Sequence, residues 1–116
     1  DAEGGLGDFR MFGAPADTFK EQVFFHTLKA DKQGRAHVSL VNRKLGFGVT
    51  ISWKLQSLPY FTQWKMMATG EYVLGIEPGN VPSMSRPALR DAGLLPMLAP
   101  GASVSHSVEI AVSDLA

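Results

Sequence analysis

An amide, an indole, an ammonium and a carboxylate, Gln63, Trp64, Lys65 and Glu77, fall in one short stretch, LPYFTQWKMMATGEYVLGIEPGN, from Leu58 to Asn80. A carboxylate in this setting can take a proton from a hydroxyl, while the amide, the ammonium and an aromatic surface hold the rest of a polar ligand. Its alternative fate is a salt bridge, to Lys65 or to Arg86. Asn80 and Arg86 follow closely in the irregular run after Glu77 and are further candidate ligand contacts.

The elements that must position these groups read as one β-hairpin. Two apolar-rich runs, Tyr60 to Met67 and Glu71 to Ile76, flank Ala68-Thr69-Gly70, and a three-residue loop ending in Gly suits a type I turn followed by a left-handed residue. If Met67 faces Glu71, then Lys65 faces Val73, Gln63 faces Gly75 and Phe61 faces Glu77, all on one side of the sheet. Thr62, Trp64 and Met66 with Tyr72, Leu74 and Ile76 then form the core side, and Glu77 and Gln63 stand diagonally, roughly 7–8 Å apart. A loop one residue longer would instead put Glu77 on the face of Trp64. Pro78 cannot donate a ladder hydrogen bond, so the strand is expected to stop at Glu77 and leave its carboxylate at the rim.

The rest of the chain is β-rich. Phe19 to Leu28, the turn residues Asp31-Lys32-Gln33-Gly34 and Arg35 to Asn42 read as a first hairpin. From Gly46 to Gln56 the alternation is clean, with Phe47, Val49, Ile51, Trp53 and Leu55 on a buried face and Gly48, Thr50, Ser52, Lys54 and Gln56 on a wet one. Pro78-Gly79-Asn80-Val81-Pro82 interrupts regular structure. A short helix follows, capped by Ser85, with Pro87 in its first turn and Gly93 at its end. Ser103 to Val112 is a last strand after an Ala-Pro-Gly turn. About six strands and one helical turn predict an all-β, antiparallel β-sandwich in a single unit, residues 1–116, with 1–18 as a loosely ordered, Gly-rich lead-in.

Composition narrows the function. The 116 residues carry 11 Lys and Arg against 11 Asp and Glu, which leaves no basic stripe for nucleic acid and no electrostatic bias toward a membrane. No run is long and apolar enough to span a bilayer, the amino end has no export signal, and a cytoplasmic location is expected. With no cysteine, disulfides and thiolate metal sites are excluded. Patterns for a phosphate-binding loop, a dinucleotide fold, zinc or a serine nucleophile are also missing, so no cofactor is expected. His26, His37 and His106 lie on separate strands, as structural or surface histidines rather than a metal cluster. Most aromatics read as core, while Trp64, beside the polar set, is placed to touch a ligand.

At these same residues, LPYFTQWKMM, EYVLGIEPGN and LLPMLAPG resemble the carboxyl-terminal part of the aldose 1-epimerase-like proteins, the galactose mutarotase superfamily, in a bacterial subfamily of uncharacterised specificity. The resemblance runs from about Gln22 to the end. It implies a twisted antiparallel sandwich binding a sugar on its concave sheet, with Glu77 matching the strand-end glutamate that serves as the base. A base at the anomeric hydroxyl and an acid at the ring oxygen open and reclose the ring without a cofactor. In that family the acid is a histidine from the amino-terminal half of a longer chain. The resemblance therefore implies that this chain is a carboxyl-terminal piece, which recruits its missing half or self-associates. Two readings follow: a sugar mutarotase in the intact protein, with Gln63, Trp64, Lys65, Asn80 and Arg86 as sugar contacts, or a carbohydrate-binding module without catalysis.

Overall fold

The computed structural model describes residues 9–115. They form six strands and one helix: β1 (Gln22–His26), β2 (Arg35–Asn42), β3 (Phe47–Lys54), β4 (Tyr60–Ala68), β5 (Glu71–Gly79), α1 (Arg86–Asp91) and β6 (Val108–Asp114). Two antiparallel three-stranded sheets result, in the orders β1-β4-β5 and β2-β3-β6. This is the all-β sandwich that the alternation predicts.

The expected first hairpin does not form, because β1 pairs with the central strand β4 and β2 pairs with β3. Asp31 shows why. Its carboxylate accepts the backbone N–H groups of Gln33 (2.8 Å) and Arg35 (2.9 Å), and Gly34, at φ 79°, donates to the Asp31 carbonyl. This Asx turn launches β2 into the second sheet instead of folding it back on β1. Period-2 alternation assigns the faces of a strand and is silent about its partner.

β3 keeps the predicted faces. Trp53 pairs with Ala36 and Ile51 with Val38, and these four meet Leu58 and Phe61 in the core, with Leu28, Leu55 and Ile76 packed around them. The Trp53 indole is buried, and its N–H donates to the Leu58 carbonyl at 2.9 Å, so no polar atom of that ring is left unpaired. On the outer face Ser52 is buried as well, beneath His37.

The β4–β5 hairpin departs from expectation by one residue. Ala68 pairs with Glu71 across Thr69-Gly70, with Gly70 at φ 79°, and the register follows as Lys65↔Leu74, Trp64↔Gly75, Gln63↔Ile76 and Thr62↔Glu77. Shortening the loop by one residue exchanges the faces of one strand relative to the other. β5 also continues through Pro78 to Gly79, opposite Phe61 and Tyr60. It lies at the edge of its sheet, where a proline without an N–H is tolerated.

Residues 9–18, expected as a loose lead-in, contain no strand but are pinned to the first sheet. Ala16 N–H donates to the Met67 carbonyl, the Tyr72 hydroxyl to the Gly13 carbonyl, and the Gln63 amide to the Phe9 carbonyl. The first eight residues of that expectation lie outside the described ones. The helix is as predicted: the Ser85 hydroxyl accepts the Ala88 N–H, Pro87 sits in the first turn, and Gly93 follows the end at φ 71°. Among the described residues no helix is long and apolar enough to cross a membrane.

Candidate functional site

Residues paired across an antiparallel sheet point to the same side. One side of the first sheet therefore carries Val23 and Phe25 from β1, Thr62 and Trp64 from β4, and Gly75 and Glu77 from β5. They form two adjacent rows, Phe25–Thr62–Glu77 and Val23–Trp64–Gly75. Glu77 and Phe25 are exposed at the two ends of their row, and Thr62 between them is a buried floor.

Gly75 makes the room for the carboxylate. A Cβ built at this position would collide with Glu77 Oε1 and stand 3.1 Å from the Cβ of Trp64. The Glu77 side chain thus folds back over the bare backbone of Gly75, beside Trp64. The indole is fixed in turn, its N–H donating to Glu21 at 2.8 Å. No protein hydrogen bond among the described residues engages the Glu77 carboxylate, which is open to a ligand hydroxyl, and it makes no ion pair with Arg86.

Of the candidates, Trp64 joins Glu77, whereas Gln63 and Lys65 point to the opposite side of the sheet and are buried. The expected diagonal pairing of Gln63 with Glu77 is corrected by the register. The physical reason lies in the segment before β1, which covers that side. Gln63 accepts from or donates to neighbours on both ends of its amide, with His26 Nε2 3.0 Å from its oxygen and its nitrogen donating to Phe9. The Lys65 ammonium lies over the rings of Phe12 and Phe19, 5.3 and 5.9 Å from their centroids. A salt bridge between Lys65 and Glu77 is excluded by this geometry. Asn80 is exposed in the bend just past β5, and Arg86, also exposed, opens α1.

The histidines are engaged elsewhere. His26 stands edge-on to Phe9, with ring centroids 4.9 Å apart, and against Phe61 on the covered side. His37 lies between Asp31 Oδ2 (2.6 Å) and Ser52 Oγ (2.7 Å), and His106 is bonded to Ser57. The His37 hydrogen bond, and next the Arg35 backbone N–H, hold the Asp31 carboxyl below its ordinary value. Among the described residues no group of three or more His, Asp or Glu could hold a metal.

Phe25 and Thr62 were beyond sequence reasoning as site residues, whereas Gly75 stood on the expected ligand-facing side, though opposite Gln63 and not, as observed, opposite Trp64. Only the β1–β4 pairing brings Phe25 into line with Glu77, and a single run of residues carries no sign of it.

The family described as a domain of unknown function, DUF4432, matches residues 1–112, so the likeness extends through the segment before Gln22. The crystal structure of a protein described as a "putative aldose 1-epimerase" from Klebsiella pneumoniae subsp. pneumoniae MGH 78578 superposes with a TM-score of 0.87 at 29% identity. That similarity covers 98% of this chain and 30% of the Klebsiella protein, so the chain spans about a third of that neighbour's length. No curated protein matches. The chain belongs to the DUF4432 family and has an aldose 1-epimerase-like fold.

Proposed function

We propose that the intact protein carrying this chain is a cofactor-free sugar mutarotase, with Glu77 as the general base at the anomeric hydroxyl. The observation that carries the reading is the Glu77 carboxylate laid over Gly75 on an open sheet face, in a chain 29% identical to the protein described as a putative aldose 1-epimerase. In this reading the carboxylate removes the anomeric proton, the C1–O5 bond breaks as an acid protonates the ring oxygen, and rotation about C1–C2 precedes closure to the other anomer. Trp64 walls the site and Thr62 floors it; Asn80 and Arg86 supply contacts from the rim. The acid comes from outside the described residues, because His26 belongs to the other side of the sheet and His37 and His106 are held by their own partners.

Glu77→Gln in the intact protein tests this. The amide keeps the size of the carboxylate but cannot accept a proton, so anomer exchange followed by NMR should fall roughly 10²–10⁴-fold while sugar binding changes far less. Near-normal exchange would remove Glu77 from the mechanism.

A second reading, a carbohydrate-binding module, is favoured by one observation: among the described residues the face holds the Glu77 carboxylate with no acid partner beside it. Sugar binding by the intact protein with unchanged interconversion rates would select it.

A further inference from the structure

A phenylalanine on the open face of a sheet calls for an explanation when smaller neighbours are half-covered. Phe25 is 69% exposed although its strand neighbour Phe24 is 7% exposed, and it stands directly across Thr62 from Glu77. Adjacent strands lie about 4.8 Å apart, so the Cα atoms of Phe25 and Glu77 are separated by about 10 Å, with the short Thr62 side chain between them. A six-membered sugar ring laid along this row, its anomeric carbon at Glu77, brings its distal end, C5 with its substituent, over Phe25. Trp64 in the next row lines the flank.

The charges carried by the strands of this face are of one sign, and Arg86 at the rim lies outside them. The strand positions that share it carry Glu71 and Glu77 and no Lys, Arg or His, and the Glu21 carboxylate reaches over it to the Trp64 N–H. Lys65, the one cation of β4, is on the covered side. Such a face repels phosphate and carboxylate groups, and it offers an aromatic surface where a charged or strongly solvated substituent would need a donor.

We infer that the site selects an uncharged aldopyranose with an apolar distal substituent, a 6-deoxy sugar in preference to its hydroxymethyl parent, and that Phe25 is the residue that reads this difference. The inference rests on the proposed placement of the anomeric carbon at Glu77. Removing the C6 hydroxyl leaves a methyl group to pack on the Phe25 ring, whereas the hydroxymethyl parent would set a solvated hydroxyl against an aromatic surface that offers it no hydrogen-bond partner. A discrimination of this kind in an apolar contact is worth about tenfold.

The test measures dissociation constants by calorimetry for D-galactose, its 6-deoxy form and its 6-phosphate, and the corresponding D-glucose series, on the intact protein. Anomer exchange is followed by NMR on the same samples. The expected result is tighter binding of the 6-deoxy sugar by about tenfold, with the 6-phosphate weakest. Phe25→Ser should bring the 6-deoxy preference close to one, and Phe25→Leu should retain most of it. The exposed position makes both variants compatible with folding, which their thermal midpoints verify. Tightest binding of a 6-phosphate, a preference that survives Phe25→Ser, or no binding of any of these sugars would overturn the inference. The expected binding pattern without catalysed exchange would sink the mutarotase reading and leave this one standing; catalysed exchange with the wrong pattern would do the reverse.

Discussion

At the residue scale, Gly75 and Glu77 act as a unit. Their contact exists because position 75 lacks a Cβ, and the carboxylate is an exposed, flexible end that can move aside. Gly75→Ala is therefore expected to lower the thermal midpoint only modestly, since its Cβ would stand 3.1 Å from the Trp64 Cβ, and to lower anomer exchange in the intact protein by about tenfold or more, through displacement of the base. Unaltered exchange would show that the carboxylate does not work from its place over Gly75. Lys65 has the opposite profile. It is 4% exposed and stacked on two phenylalanines, so its aliphatic stem and its charge both serve packing. Lys65→Ala should cost about 2 kcal/mol or more in denaturant unfolding, and it should leave discrimination between neutral and anionic sugars unchanged. A selective loss for anionic sugars would place Lys65 at the ligand after all.

At the element scale, the Asx turn before β2 couples the second sheet to pH. The Asp31 carboxyl is held below its ordinary value of 3.8 by the His37 hydrogen bond and then by the Arg35 N–H. A carboxyl whose folded value is depressed contributes stability above its unfolded value and loses it as pH falls through the folded one. The thermal midpoint should accordingly drop below about pH 4, more steeply in the wild type than in Asp31→Asn, which keeps an acceptor for the backbone but has no charge to lose. Parallel acid slopes in the two proteins would dismiss the turn as the source. The same turn explains why the first hairpin expected from the sequence is absent: Asp31 and Gly34 mark a turn correctly, but the turn orients β2 toward β3.

At the scale of the whole molecule, the radius of gyration is 16.6 Å and the principal extents are 48 × 36 × 24 Å. A compact domain of this length would have a radius near roughly 13 Å. The difference is that of a plate. Its inner second-sheet face continues past the core onto β6, where Val108, Ile110 and Val112 are 47, 67 and 70% exposed although they pair with Trp53, Ile51 and Val49. We propose that this face is covered in the intact protein by the rest of a larger sandwich. The 116-residue chain on its own should then self-associate, with zero formal charge offering no repulsion. Sedimentation velocity on that chain should show concentration-dependent oligomers that Ile110→Lys shifts toward monomer. A dilute, stable wild-type monomer would refute the proposal.

Alternation, turn chemistry and residue type within a few positions were enough to read the six strands, the faces of β3, the capped helix, the positive-φ glycine of the hairpin and the carboxylate of Glu77, although the last strand begins at Val108 and not at Ser103. Strand pairing and register belong to the tertiary structure. One residue fewer in the loop at Thr69-Gly70, and β1 docked on β4 instead of β2, carried Gln63 and Lys65 into the interior and brought Phe25 and Thr62 to Glu77. Local pattern cannot supply this, because both registers give alternating strands with plausible faces. The choice falls to what covers each side: here the segment with Phe9, Phe12 and Phe19 buries the polar set, and the opposite side is left open around the carboxylate.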